Sequence, residues 1–454
     1  MERRYIFLIA IVIATKITVC RSQSSSEDSS SSGRIEVFSG GETGSFRKAM
    51  EAENLFNLGF LTNGQTYLGE WKLEGRFGYR GRFERNILFS GISDPYNGNP
   101  FLWGDTLSGN WQRDAIRTQV SMTLPAFRNW TVGLALDYAT STGARLSEPK
   151  PFFRYRYIRI NPTFQWDFSE GLLNKIILEL SYSSAFEENE IGYSTVNNTY
   201  LIRGRGYGSA IKGPIRALDR RRNVNIFGIQ LNWTLSHKWK VDGSMDFCRE
   251  EVSDGIANPQ TDGLYSRTSG RGLIAYNTEN VGLDASIDVH RAGTEDYAYG
   301  FKNWYHNSLG LKINMDFGTP VNDHLSSGIS LSFLTESSRD HIVDGVFEFS
   351  NVVLSGFHTI SWNKLRVFFF IGYQYNLNAN MEVGNPDVLN RLIYGPDFFY
   401  RSANYLQLKL APRIDFPING TDGNHYWVEF ENGICLKDPS SARYVFAVTL
   451  GSIL

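Results

Sequence analysis

Along residues 67–83, YLGEWKLEGRFGYRGRF, every second position is uncharged: Tyr67, Gly69, Trp71, Leu73, Gly75, Phe77, Tyr79, Gly81 and Phe83. Between them stand Glu70, Lys72, Glu74, Arg76, Arg80 and Arg82. Strict alternation marks a β-strand with two unlike faces. Both a soluble sandwich and a transmembrane barrel make such strands. In the first the aromatic face meets a core, and in the second it meets lipid.

The alternation recurs to the end of the chain. Trp130, Val132, Leu134, Leu136 and Tyr138 share one face, as do Phe227, Ile229, Leu231, Trp233 and Leu235. Trp239, Val241, Gly243, Met245 and Phe247 repeat it, followed by Val281–Val289 and Leu309–Phe317 on the odd positions. The final segment, RYVFAVTLGSIL, puts Tyr444, Phe446, Val448 and Leu450 on one side, although barrel-insertion signals usually end in an aromatic residue rather than Leu454. Short links at 125–128, 169–173, 236–238, 278–280, 318–325, 359–363 and 413–423 alternate with mostly longer polar links at 84–110, 140–152, 188–222, 249–269, 292–303 and 377–401. The shorter exceptions are 337–343 and 437–440.

Short turns on one side and long loops on the other is the arrangement of an outer-membrane barrel. The segmentation predicts about sixteen strands, within a range of about 14–18, each of roughly 10–13 residues. Strands that long exceed the usual ~5–6 residues of soluble sheets and match a tilted bilayer crossing. The even number places both termini on the short-turn side. The predicted fold is all-β: a transmembrane antiparallel up-and-down β-barrel.

Composition agrees. The 454 residues carry 14% aromatics, including 31 Phe and 23 Tyr, with 43 Gly and a net charge of −2. That charge points to no nucleic-acid partner. The longest early apolar run, YIFLIAIVIA at 5–14, is too short to span a bilayer as a helix. It follows Arg3 and Arg4 and precedes small and polar residues, the order of a secretory signal peptide over 1–22, cut after Ser22. Lipidation of Cys20 is the alternative, with Val19 a poor residue before such a cysteine. The remaining Cys248 and Cys435 fall in strands far apart and are expected as free thiols. Residues 23–66 read as a Ser-rich disordered stretch, then a short periplasmic or plug segment with helical character at 45–60. The barrel proper is expected over 67–454.

The segments YLGEWKLEGRFGYRGRF, SGISDPYNGNPFLWGDTLSGNW, WTVGLALDYATSTGARLSEPKPFFRYRYIRINPTFQW and YLIRGRGYG resemble an uncharacterised family of outer-membrane β-barrels of Bacteroidetes-type bacteria. The order of elements is similar too: strand, DPY…D loop, hairpin, EPKP loop, Arg/Gly-rich loop. The resemblance covers nearly the whole mature chain and implies fold and location. It implies no activity, so no catalytic residues are carried over.

Site chemistry is sparse. The seven His, at 237, 290, 306, 324, 341, 358 and 425, show no metal spacing, and no Ser/His/acid spacing singles out a lipid-face hydrolase. RGRGYG at 203–208 lacks the strand-to-helix setting of a nucleotide loop. No enzyme activity, cofactor or metal is expected. The strongest anomaly is 203–222, where Arg203, Arg205, Lys212, Arg216, Arg220, Arg221 and Arg222 face the single acid Asp219. The bland reading is a solvated or lipopolysaccharide-facing loop. The sharper one is an inward-folded loop that selects anions, as rings of Arg and Lys do in some pores. Against it stand the lumen acids Asp242, Asp246, Asp284, Asp288, Glu429 and Glu431.

The sequence therefore predicts a channel or transporter for small polar or amphipathic solutes in the bacterial outer membrane. Its expected partners are membrane lipid, lipopolysaccharide and the barrel-insertion machinery. The alternative is a non-conducting barrel that serves an envelope secretion or assembly machine.

Overall fold

The computed structural model describes residues 31–453 apart from 90, 169–173, 193–199, 208, 215–217, 237, 256–259, 279–280, 319–324, 418–424 and 439. The signal peptide expected over 1–22 lies outside the described residues. In chain order the strands are Ser32–Gly44 (β1), Asn54–Leu68 (β2), Trp71–Ile87 (β3), Trp103–Asp105 (β4), Gly109–Thr123 (β5), Trp130–Arg145 (β6) and Phe152–Asp167 (β7). Next come Lys175–Ile191 (β8), Tyr200–Gly204 (β9), Ala210–Pro214 (β10), Leu218–Thr234 (β11), Trp239–Asp254 (β12), Gln260–Asn277 (β13) and Val281–Asp296 (β14). The rest are Phe301–Gly318 (β15), Leu325–Asp340 (β16), Gly345–Trp362 (β17), Leu365–Val383 (β18), Tyr405–Pro417 (β19), His425–Asp438 (β20) and Ser441–Ile453 (β21). A π-helical turn, Asn390–Tyr394, leads into a short α-helix, Gly395–Arg401 (α1), the one α-helix among the described residues.

Among the described residues, 18 strands form one antiparallel sheet, each hydrogen-bonded to its neighbours in sequence. The ring closes where β1 pairs with β21, Arg34 opposite Ile453 through Gly44 opposite Arg443. β4, β9 and β10 form a separate small sheet. The fold is thus a closed transmembrane β-barrel with both described termini on the short-turn rim, as the even count requires.

The outer surface follows the alternation read from the sequence. Trp130, Val132, Leu134, Leu136 and Tyr138 are exposed, and so are Phe227, Ile229, Trp239, Met245 and Phe247. The exposed tryptophans Trp71, Trp130, Trp166, Trp233, Trp239 and Trp362 all sit at the short-turn end of their strands. Trp130 stacks on Trp166 at 4.7 Å. Tyr138, Tyr305, Tyr375 and Tyr444 lie toward the loop end. Two aromatic belts around an apolar band are the outer surface of a membrane barrel. Cys248 and Cys435 are free thiols.

The N-terminal segment differs from the sequence reading. Residues 45–60 form no helix, and 32–68 supply two barrel strands, which is why the ring has 18 rather than about sixteen. Two features hid them. β1 carries Gly40 and Gly41 at its centre, so its faces differ little in polarity. The run at 67–83 also crosses a hairpin: Gly69, at φ +61°, and Glu70 make a two-residue turn between Leu68 and Trp71. Tyr67 pairs with Lys72 and therefore shares the face of the lumen charges, not of Phe77 and Phe83.

Candidate functional site

Inward-facing positions divide the lumen into two halves. Toward the short-turn rim the wall bears ion pairs reached by water: Lys240–Asp242 at 3.1 Å, Lys72–Glu74 at 2.6 Å, and Arg271–Asp288, whose Arg side chain is 60% exposed. Toward the loop rim the lumen is filled. The described parts of four connections, 45–53, 91–108, 200–207 with 209–214, and 384–404, fold inward, and with Phe89 they share a core of Met50, Trp103, Ile202, Leu389 and Ile393. Its scaffold is the small sheet, with Trp103 opposite Arg203 and Asp105 opposite Leu201. The loops form a stopper.

Charge holds the stopper to the wall. Arg145 of β6 reaches Asp105 of β4 at 2.8 Å, both side chains fully buried. Glu187 of β8 accepts from the Ser93 backbone N–H at 2.7 Å and from its hydroxyl at 2.6 Å. Ser209 donates to Asp340 at 3.1 Å. A Cβ at position 206 would collide with that same carboxylate and with the Ser209 hydroxyl, so a larger residue there would displace this clamp.

Most of the basic cluster belongs to this clamp. Arg205 contacts Asp262 at 2.6 Å and Asp296 at 3.5 Å. Arg203 meets Asp254 at 2.9 Å and Lys212 meets Asp387 at 3.7 Å. Arg216 lies outside the described residues. Arg220, Arg221 and Arg222 stand in barrel strand β11 rather than in a loop, on alternating faces. Arg220 and Arg222 point inward, buried, the first on Asp254 at 2.7 Å and Asp262 at 2.5 Å, the second on Glu250 at 2.5 Å and Glu187 at 3.4 Å. Arg221 faces outward, 3.6 Å from Glu188. The inward guanidiniums are thus neutralised by carboxylates from β8, β12, the start of β13 and the end of β14. They present little unbalanced charge to a passing ion.

A cavity of about 350 Å³ lies between the stopper and the wall strands β13–β17. Tyr207 supplies its central ring, 5.3 Å from Trp304, 5.5 Å from Phe347 and 4.6 Å from Tyr394. Trp304 stacks on His306 at 5.7 Å, and His306 Nδ1 bonds Ser338 Oγ at 2.7 Å. Arg401 pairs with Glu336. Beside them Asp397 of α1 accepts from the Ala49 N–H at 2.6 Å and the Tyr96 hydroxyl at 3.3 Å. Burial raises its carboxyl to about 6. It also pushes up the Tyr96, Tyr207 and Tyr394 hydroxyls, which remain neutral donors. Sequence reasoning did not find this cavity. Its residues come from distant loops and strands, and no local spacing marks them.

The chain belongs to the family of unknown function DUF6850, whose model matches residues 22–453. No curated protein matches the sequence. Solved structures with a similar fold include the ferric citrate transporter FecA in the unliganded form, at 8% identity and a TM-score of 0.49, covering 93% of this chain and 78% of that one. The ferric yersiniabactin uptake receptor FyuA from Yersinia pestis is another, at 10% identity and 0.49, covering 94% and 80%. The FrpB iron transporter from Neisseria meningitidis has 7% identity and 0.45, covering 92% and 81%.

Proposed function

We propose that this member of the family is an exported protein of the bacterial outer membrane that transports small polar or amphipathic solutes, shut at rest by its own inward-folded loops. The carrying observation is the division of the lumen. One half is walled by water-exposed ion pairs, as an aqueous conduit needs, and the other is closed by a stopper held through separable polar clamps. A ring of 18 strands has room for a passage once the stopper moves. Membrane lipid and lipopolysaccharide surround the barrel in this reading, the insertion machinery assembles it, and no covalent chemistry is involved.

A second reading draws on the depth of the clamps. Fully buried pairs such as Arg145–Asp105 suit a permanently closed barrel that acts as an accessory to an envelope machine. Purified protein in a planar bilayer separates the two. Discrete open steps, rare at rest and more frequent when the clamps are weakened, support transport. Silence of both wild-type protein and clamp variants supports the accessory role.

A further inference from the structure

The cavity beneath the stopper has the makings of a ligand site. Tyr207, Trp304, Phe347 and Phe398 all line it, giving the cavity a wall of aromatic rings packed edge to face. Three lining residues, Trp304 among them, are nine-tenths or more buried and carry polar atoms without a partner among the described residues: Asn99 Nδ2, Trp304 Nε1 and Tyr394 Oη. All three atoms can donate a hydrogen bond. A buried donor left unmade costs about 1–3 kcal/mol, so such a cluster in a cavity fits an acceptor-rich occupant.

Charge narrows the class. Arg267 of β13 lines the cavity, half-buried. The other inward Arg side chains around the stopper each contact a carboxylate. Arg267 has no such contact within 4.0 Å among the described residues, and its Nε is buried without a partner. Its register neighbours are Cys248 and Ala292, neither acidic. Glu336, the lining carboxylate on the wall, is taken by Arg401. A guanidinium fork fits a carboxylate in two parallel hydrogen bonds.

We infer that this cavity binds a small anionic solute with a flat ring, such as an aromatic carboxylate, its ring among Tyr207, Trp304 and Phe347 and its carboxylate on Arg267. The inference rests on the transport reading for its biological sense but not for its test. A volume near 350 Å³ suits a single-ring molecule rather than a large chelate.

Isothermal titration of the full-length barrel in detergent with benzoate, benzyl alcohol and glucuronate tests the class. Benzoate should bind at least tenfold more tightly than benzyl alcohol, which lacks the charge, and more tightly than glucuronate, which lacks the flat apolar face. Arg267→Gln should weaken benzoate at least tenfold, and Arg267→Lys should recover part of the loss. Arg271→Gln, which alters a water-exposed lumen pair, should leave benzoate affinity unchanged. Equal affinity for benzoate and benzyl alcohol in the unaltered protein would overturn the assignment without any variant, and so would preference for glucuronate. So would full benzoate affinity in a folded Arg267→Gln barrel. Conductance without benzoate binding overturns the site and leaves the transport reading standing, whereas benzoate binding without conductance does the reverse.

Discussion

Arg220 Nε lies 2.7 Å from Asp254 Oδ1 on the neighbouring strand, and its terminal nitrogen reaches Asp262 on the next strand again. One guanidinium therefore ties three wall strands together beneath the stopper, where it also faces the carbonyls of Phe101 and Leu102. Removing one partner of a buried ion pair strands the others without compensation and costs about 3–5 kcal/mol. Arg220→Ser should lower the unfolding free energy in lipid vesicles by that amount and raise the frequency of channel openings. A change confined to the reversal potential, with stability untouched, would mean that Arg220 faces the permeation path instead.

The two faces of β6 should tolerate charge very differently. Leu134 is 39% exposed on the outer surface, and its neighbour Ala135 faces the lumen. Leu134→Arg is expected to destabilise the barrel by roughly 2–4 kcal/mol if the site lies near the bilayer midplane, and Ala135→Arg clearly less. Urea unfolding in vesicles measures both, and equal costs would contradict the outward face.

The stopper should come apart before the ring does. Trp103 is fully buried in the loop core and takes no part in the barrel ladder. Trp103→Ala should cost the stopper about 3–5 kcal/mol while leaving the faster migration of unboiled protein in detergent gels, the sign of a closed barrel. Openings in a bilayer should become frequent. Loss of the fast-migrating form would show that ring and stopper fold as one unit.

Asp397 gives the stopper a pH dependence. Its carboxyl ionises near 6 in the folded state against 3.8 when free, because burial penalises the charge. Between those values the folded loops hold the proton more tightly than opened loops do. Stopper stability therefore falls as pH rises from about 4 through about 6, and is greatest below that window. Amide exchange at Ala49 and Met50, whose N–H groups bond to Asp397 and Tyr96, should be faster at pH 7.5 than expected from base catalysis alone. Asp397→Asn, which keeps the accepting oxygen and loses the charge, should flatten that excess. A wild-type profile in the variant would assign the effect elsewhere.

The ring was legible because membrane strands need contrasting faces, and wherever β6, β11, β12, β14 and β15 show that contrast the structure agrees. β1 escaped notice because Gly40 and Gly41 blur it, and the end of β2 because a two-residue turn preserves alternation while inverting the face. The basic run was visible as charge, but its meaning lay in its partners. Asp254, Asp262, Glu187 and Glu250 come to Arg220 and Arg222 only through strand register, and composition carries no register. The cavity was least legible. Tyr207, Trp304 and Tyr394 belong to two separate loops and a strand, and nothing in the local sequence of each points to the others.

The seam between β1 and β21 has a consequence for how the protein is made. Arg443 donates to Glu42 across a separation of 401 residues, and the ladder from Arg34 to Gly44 has no other mate on that side. Until the final strand arrives, the growing sheet keeps two raw edges, each a template for a wrong neighbour. Closure of the ring therefore waits on its last described strand, Ser441–Ile453. A chain interrupted before Arg443 leaves that side of β1 unpaired and remains an unclosed ribbon, with both of its borders open to strangers.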